Sequence, residues 1–343
     1  MKIGIVGDVH WSEYSSIVRR KLQGSTVRLE NLRESVKWAD ETLRHIGADM
    51  IIQLGDFFDK SYVTGTEGAV LRELYEECDI SSWHFLKGNH EIDGARDSLS
   101  LIQAAKVYRE PSMTECDSAY LVFMPYIEER HRKPLSEYMA DLGVKRDKKV
   151  IVFSHNDIAG VRYGKYESKT GFSVEEIHAN CDKFINGHIH NSEEISGKIL
   201  NAGNLTGQNF SENGFIYRHG VWIIDTEKEG WVWFEENPHA LKFGTVNITN
   251  ETEEAEFDSI ARICQEGKGW VLAINATEEY ADEAQKVIDK YCVAGKKTIM
   301  AKQAEVRETE SISIVDHIQK FRESVTEKFG NTEIVAEVLD EVR

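Results

Sequence analysis

The run Met50-Ile51-Ile52-Gln53-Leu54, followed at once by Gly55-Asp56-Phe57-Phe58-Asp59, is the stretch that most constrains this chain. An almost wholly apolar run of this length reads as a strand covered on both faces. The two acids therefore fall where a buried strand ends, the place on an open α/β sheet where ligands collect. The same event recurs four times. Lys2-Ile3-Gly4-Ile5-Val6 runs into Gly7-Asp8-Val9-His10, His84-Phe85-Leu86 leads to Gly88-Asn89-His90-Glu91, Val150 to Phe153 leads to Ser154-His155, and Phe184-Ile185 leads to Asn186-Gly187-His188-Ile189-His190. No fold needs this set of Asp, Asn and His side chains for stability. A pair of divalent cations does need oxygen and imidazole donors, with one carboxylate able to bridge them, and Asp56 is placed for the bridge.

Strand and helix alternate up to about residue 235. Leu29, Leu32, Val36, Ala39, Leu43 and Ile46 mark one face of an amphipathic helix that Gly47 is placed to end. Further helices are expected at 67–77, 95–105 and 133–142. Ser173 with Glu176 predicts a capped short helix through Ala179. Short strands follow at 194–200, 221–225 and 231–234, where core or edge packing explains the alternating Trp231 and Trp233 better than base stacking does. From about residue 241 a smaller β/α unit is expected, with helices at 254–265 and 278–291 and strands at 270–275 and 298–302. Two C-terminal helices are expected at 312–329 and 333–342. The predicted division is 1–240, 241–305 and 306–343.

Composition narrows the classes of function. No stretch approaches a membrane span, and Met1 leads into a core strand without a signal-peptide pattern, which predicts a cytoplasmic protein with no membrane partner. Five scattered cysteines with no CxxC pair fit a reducing compartment and argue against structural zinc. The net charge is −18, with 28 basic against 38 acidic residues up to residue 240 and 13 against 21 beyond it. Neither part is a basic nucleic-acid-binding domain, although bound cations add positive charge at a site of this kind. Neither a GxSxG elbow nor a GxxxxGK[ST] loop occurs, so serine hydrolysis and intrinsic ATPase activity have no support.

The order DxH, GDxxD, GNHE, SH, GHxH resembles the calcineurin-like metallophosphoesterase family. The resemblance implies an α/β fold, a β-sandwich flanked by helices in four layers (αββα), here with a small appended β/α capping domain and C-terminal helices. It implies one cation on Asp8, His10 and His190, a second on Asn89, His155 and His188, and Asp56 between them. His90 would act as general acid or charge stabiliser at the leaving oxygen, with Asp59 orienting its ring. The nucleophile would be a water activated by the ions, so no Ser or Cys nucleophile is needed.

Within the family, serine/threonine phosphatases carry Arg directly after the GDxxD acid, whereas this chain has Lys60-Ser61. GDFFD is similar to the form found in SbcD-type nucleases. The passage Asn201-Ala202-Gly203-Asn204 with Gln208-Asn209-Phe210-Ser211-Glu212-Asn213-Gly214 resembles the "G-S … S-F-x-E … G" stretch of that group, with Asn204 in place of the usual Ser. GNHE in place of the commoner GNHD leaves His90 where it is. The expectation is a DNA nuclease of phage or bacterial type using manganese, with magnesium as the alternative ion. It would act in recombination and repair with an SbcC-type ATPase, and a homodimer is compatible with this reading. The runner-up is a hydrolase of small phosphodiesters or phosphomonoesters. The stripe Ile314, Ile318, Phe321 and Val325 on the first C-terminal helix is the expected contact with the ATPase, or else a face buried within the chain itself.

Overall fold

The computed structural model describes residues 1–102, 105–163, 166–228, 233–248 and 269–299. They form two compact units, one of Met1–Glu212 with Tyr217–Lys242 and one of Asn213–Ile216 with the chain from Phe243 onward.

The first unit is built on two six-stranded sheets. One contains β1 (Lys2–Val6), β2 (Met50–Gln53), β3 (His84–Leu86) and β4 (Lys106–Tyr108), which run parallel to one another in that order. The other contains β5 (Ser112–Glu115), β6 (Ala119–Met124), β7 (Lys149–Ser154), β8 (Lys183–Asn186), β9 (Glu193–Ser196) and β10 (Ile199–Asn201), ordered β9-β10-β8-β7-β6-β5. The chain then returns to the first sheet, where β11 (Gly220–Asp225) pairs antiparallel with β1 and β12 (Trp233–Glu236) closes the edge.

The alternation of side chains along these strands makes four layers. Ile3, Ile5, Ile52, Leu54 and Leu86 of the first sheet face Leu121, Phe123, Ile151, Phe153, Ile185 and Leu200 of the second. The outer face of the first sheet, with Val6, Ile51 and Phe85, is covered by helices α1 (Val27–His45) and α2 (Gly65–Glu77). The outer face of the second, with Val150, Val152 and Phe184, is covered by α3 (Leu135–Asp141) and α4 (Val174–Asn180). The fold is thus the expected α/β sandwich flanked by helices. Thr26 caps α1 by accepting from Leu29 N–H, and its buried stripe of Leu29, Leu32, Val36, Ala39 and Leu43 is the one the periodicity marks. Thr64 and Glu67 cap α2 reciprocally.

Two local expectations are corrected. No α-helix lies among the described residues of 95–105. Ile92–Asp93 and Arg96–Asp97 form a hairpin about Gly94, whose φ of +58° suits a turn, and a 3₁₀ turn follows at Ser98–Leu101. The single strand expected over 194–200 is a hairpin, β9 and β10. Trp233 lies on the edge strand, one of the two placements expected for it, and is more than half exposed, while Trp231 lies outside the described residues.

The second unit is a three-stranded sheet of β13 (Lys242–Ile248), β14 (Trp270–Ala276) and β15 (Ala294–Ile299), covered by α5 (Ala281–Tyr291). Its core is Val246, Trp270, Leu272, Ile274, Ala284, Val287 and Ile288, with Phe215 stacked on Trp270 at 4.6 Å. The expected helices over 254–265, 312–329 and 333–342, and with them the boundary at 306, lie outside the described residues. Among the described residues no helix is long and apolar enough to cross a membrane.

Candidate metal centre

Each motif leaves the C-terminal end of a strand of the sandwich. The loops are tied together through their main chains: Val9 and His10 N–H donate to the Asp56 carbonyl at 3.1 and 2.9 Å. Close approach is required where the loops meet. A Cβ on Gly88 would lie 2.0 Å from Asp56 Oδ1 and 2.4 Å from Asp56 N, so only glycine fits at that position. Among the described residues only three other than glycine have positive φ, and all three are candidate ligands: His10 (+51°), Asp56 (+51°) and His188 (+68°). Strain concentrated this way marks a site whose surroundings over-determine it.

Three clusters of potential donors converge, each with its donor atoms within 4.8 Å of one another: Asp8, His10 and His190; His10, Asp56 and His90; and Asp56, His155 and His188. Asp8 Oδ1 accepts from His188 N–H at 3.0 Å, while Asp8 Oδ2 is buried without a hydrogen-bond partner and lies 3.8 Å from Nε2 of both His10 and His190. Asp56 Oδ1 accepts from His90 N–H at 3.0 Å. Its Oδ2 lies 3.1 Å from His155 Nε2 and 3.9 Å from Nε2 of both His10 and His90. Asn89 Oδ1 is 3.1 Å from His155 Nε2 and 3.0 Å from His188 Nδ1.

The far ring nitrogens decide which atoms are left to bind. His155 Nδ1 donates to the Leu54 carbonyl at 2.8 Å, so the lone pair of the neutral ring is on Nε2, which points at Asp56 Oδ2 and Asn89 Oδ1. His190 Nδ1 donates to Glu212 Oε1 at 2.7 Å, and His10 Nδ1 faces Asp59 Oδ1 at 3.2 Å. The two Nε2 atoms then meet at 3.1 Å. Lone pairs of imidazole, carboxylate and amide oxygen aimed into one small volume repel one another unless positive charge lies between them. The donor set and the orphaned Asp8 oxygen therefore fit divalent cations.

Electrostatics agree. Burial works toward the neutral form of Asp56, but His155 and then His10 and His90 outweigh it and hold the carboxyl well below the usual carboxylate range. Asp8 shifts the same way, burial again being overcome, chiefly by His155 and His10. Burial opposes charge on His10, yet its hydrogen bond to Asp59 and the nearby charges of Asp8 and Asp56 push it up to about 10. His155 is pushed up to about 9, burial being overcome by Asp56 and Asp8. The carboxylates thus draw positive charge into the centre.

All nine predicted residues, Asp8, His10, Asp56, Asp59, Asn89, His90, His155, His188 and His190, gather here. Asp59 does so differently from the expectation. Its carboxylate sits on His10, and it is the Asp59 main-chain carbonyl that accepts from His90 Nδ1 at 2.9 Å. The turn that follows Phe58 brings the carbonyl to His90 and sends the side chain the other way. His90 is 41% exposed, more open than the buried rings of His10 and His155.

Three carboxylates had no role assigned from the sequence. Glu212, 1% exposed, holds His190 and is itself fixed by Asn204 Nδ2, Gln208 N–H and Asn209 Nδ2 at 2.9, 2.8 and 3.1 Å. Burial favours its neutral form, but the His190 bond prevails and lowers its pKa. Glu91, fully buried, accepts from Phe57, Phe58 and Gly88 N–H at 2.7, 3.2 and 2.7 Å and so clamps the GDFFD loop to the GNHE loop. Burial and the nearby Asp56 push its pKa up to about 8. Asp157 lies 3.5 Å from His188 Nε2. The QNFSENG passage is the one available signal for Glu212; Glu91 shows only as the last residue of GNHE, and Asp157 follows His155 without a pattern of its own.

A comparison with protein families matches residues 1–192 to the calcineurin-like phosphoesterases. A search of curated proteins finds no match. With more than half of the chain matched and the donors of all five motifs converging in one place, the chain belongs to the calcineurin-like phosphoesterase family, whose members are metal-dependent phosphoester hydrolases.

Proposed function

We propose that this hydrolase is a two-metal DNA nuclease of the SbcD type that uses manganese, with magnesium as the alternative, and works with an SbcC-type ATPase. The observation that carries the reading is Glu212. The passage resembling the nuclease group contributes the buried carboxylate that fixes His190, so the likeness runs through the reacting centre and not through the fold alone. Lys60 in place of the phosphatase arginine agrees.

Asp8 Oδ2, His10 Nε2 and His190 Nε2 would hold one ion; Asn89 Oδ1, His155 Nε2 and His188 Nδ1 would hold the other; and Asp56 Oδ2 would be shared. The ions, when bound, activate water and neutralise charge on the phosphoryl oxygens. The protein supplies the rest. Leu54, Asp59 and Glu212 set which nitrogen of each ring faces inward, and Glu91 keeps Asp56 and Asn89 in register. His90 donates from Nδ1 to the Asp59 carbonyl, so when the half-open ring is an imidazolium its Nε2–H would be the group that hands a proton to the departing sugar oxygen, leaving the neutral ring. The ATPase contact falls to the segment 312–329, outside the described residues, and the cytoplasm is the proposed location.

The test is manganese-dependent release of nucleotides from linear DNA, compared with hydrolysis of bis-p-nitrophenyl phosphate. Efficient release from DNA supports the nuclease. Turnover of the small diester with DNA left intact overturns it in favour of a small-substrate phosphodiesterase.

A further inference from the structure

The loops that bring His10, Asp59 and His90 to the centre each send one or two residues to a common patch outside it. Tyr14 follows His10 by four residues, Lys60 and Tyr62 follow Asp59, and Arg96 lies on the hairpin just past Glu91. Lys60 Nζ sits 5.6 Å from the centre of the Tyr14 ring and 5.8 Å from that of Tyr62, and the Arg96 guanidinium sits 5.4 Å from the Tyr62 ring. The order along the patch is aromatic, cation, aromatic, cation.

The tyrosines are 65% and 49% exposed, among the most open large side chains described. Stacking that served only the fold would bury these rings. The Tyr14 loop is nonetheless anchored: Glu13 N–H donates to Glu67 and Glu13 Oε1 accepts from Thr64 Oγ1, both at 2.8 Å or less. In a chain of net charge −18, neither Lys60 nor Arg96 forms a salt bridge with a carboxylate among the described residues, and the Tyr14 loop continues into the exposed run Arg19-Arg20-Lys21, which forms none either.

Resting on the nuclease reading above, we infer that this patch binds a single-stranded stretch of the substrate next to the scissile phosphate, with unpaired bases on Tyr14 and Tyr62 and phosphates on Lys60 and Arg96. Open aromatic faces accept any base only when it is unpaired, and interleaved cations meet the phosphates between successive bases. The patch thus gives an acidic nuclease its local affinity for the strand and favours frayed or single-stranded ends.

The test uses the full chain in manganese, with oligo(dT) and an abasic oligonucleotide of equal length, and bis-p-nitrophenyl phosphate as reference. The wild type should bind oligo(dT) more tightly than the abasic strand. Tyr14→Ala with Tyr62→Ala should remove that preference and lower the ratio of oligo(dT) cleavage to small-diester turnover by about tenfold per ring, whereas Tyr14→Phe with Tyr62→Phe should retain both. Lys60→Ala with Arg96→Ala should reduce the slope of log affinity against log salt by about 1.4. If the wild type cleaves DNA but shows no preference for bases, or the alanine pair keeps it, the patch is wrong and the nuclease reading stands. If the wild type turns over the small diester and neither binds nor cleaves DNA, both fall.

Discussion

The two halves of the centre are held by different chemistry. On one side, His10 and His190 each present Nε2 while a carboxylate, Asp59 or the buried Glu212, faces Nδ1. On the other, the hydrogen bond to His155 Nδ1 is made by the neutral Leu54 carbonyl, with Asp8 Oδ1 farther off at 3.9 Å, and His188 Nε2 has the part-exposed Asp157 at 3.5 Å. A carbonyl fixes a ring's direction and tautomer; a carboxylate does that and also raises the ring's basicity. The difference teaches that two ions sharing Asp56, as proposed, would not be held equally. The half built on His10 and His190 is the one expected to retain its ion at the lower manganese concentration.

The comparison collapses altogether in Asp56→Ala, which removes the oxygen both halves share. Calorimetry with manganese should show the stoichiometry falling from two to none, with turnover lost. A variant that still binds one ion tightly would mean the halves are independent. His90→Ala leaves the comparison standing and removes the proposed proton donor. Turnover should drop by roughly 10²- to 10⁴-fold while both ions still bind. Loss of an ion along with activity would make His90 a ligand of the His10, Asp56 and His90 cluster.

Glu212→Gln sharpens the contrast. It keeps a hydrogen-bonding group beside His190 but removes the charge, and one manganese should bind roughly 10- to 100-fold more weakly while the other is little changed. Unchanged binding of both would deny the carboxylate any part in the asymmetry. Asp157→Asn is the mildest substitution, and the weaker ion should lose less than about tenfold, because its partner is longer and more open. An effect larger than that of Glu212→Gln would reverse the ranking of the two halves.

What the sequence makes legible follows from the range of its signals. Asp8, Asp56, Asn89, His155, His188 and His190 stand directly after apolar strands, so strand direction alone brings them to one end of the sandwich. The stripe of α1 shows because its period is local. Glu212 was quoted within a recognisable passage but its partner could not be read, since it meets His190 only after the chain has run through β9, β10 and a turn. The Asp59 correction has the same origin, because spacing places a residue at a site but does not say which of its oxygens faces which ring. The helix expected over 95–105 fails because Asp93-Gly94 is a turn pair that makes a hairpin there.

The left-handed torsions at His10, Asp56 and His188 bear on any attempt to make this protein more robust. Each costs on the order of 1–3 kcal/mol, carried by the folded chain whether or not it is working. Glycine would relax any of the three, and each such replacement would delete a donor. A library screened for thermal tolerance alone is therefore expected to enrich inactive proteins at these three positions, and selection for durability and selection for turnover will pull against each other there.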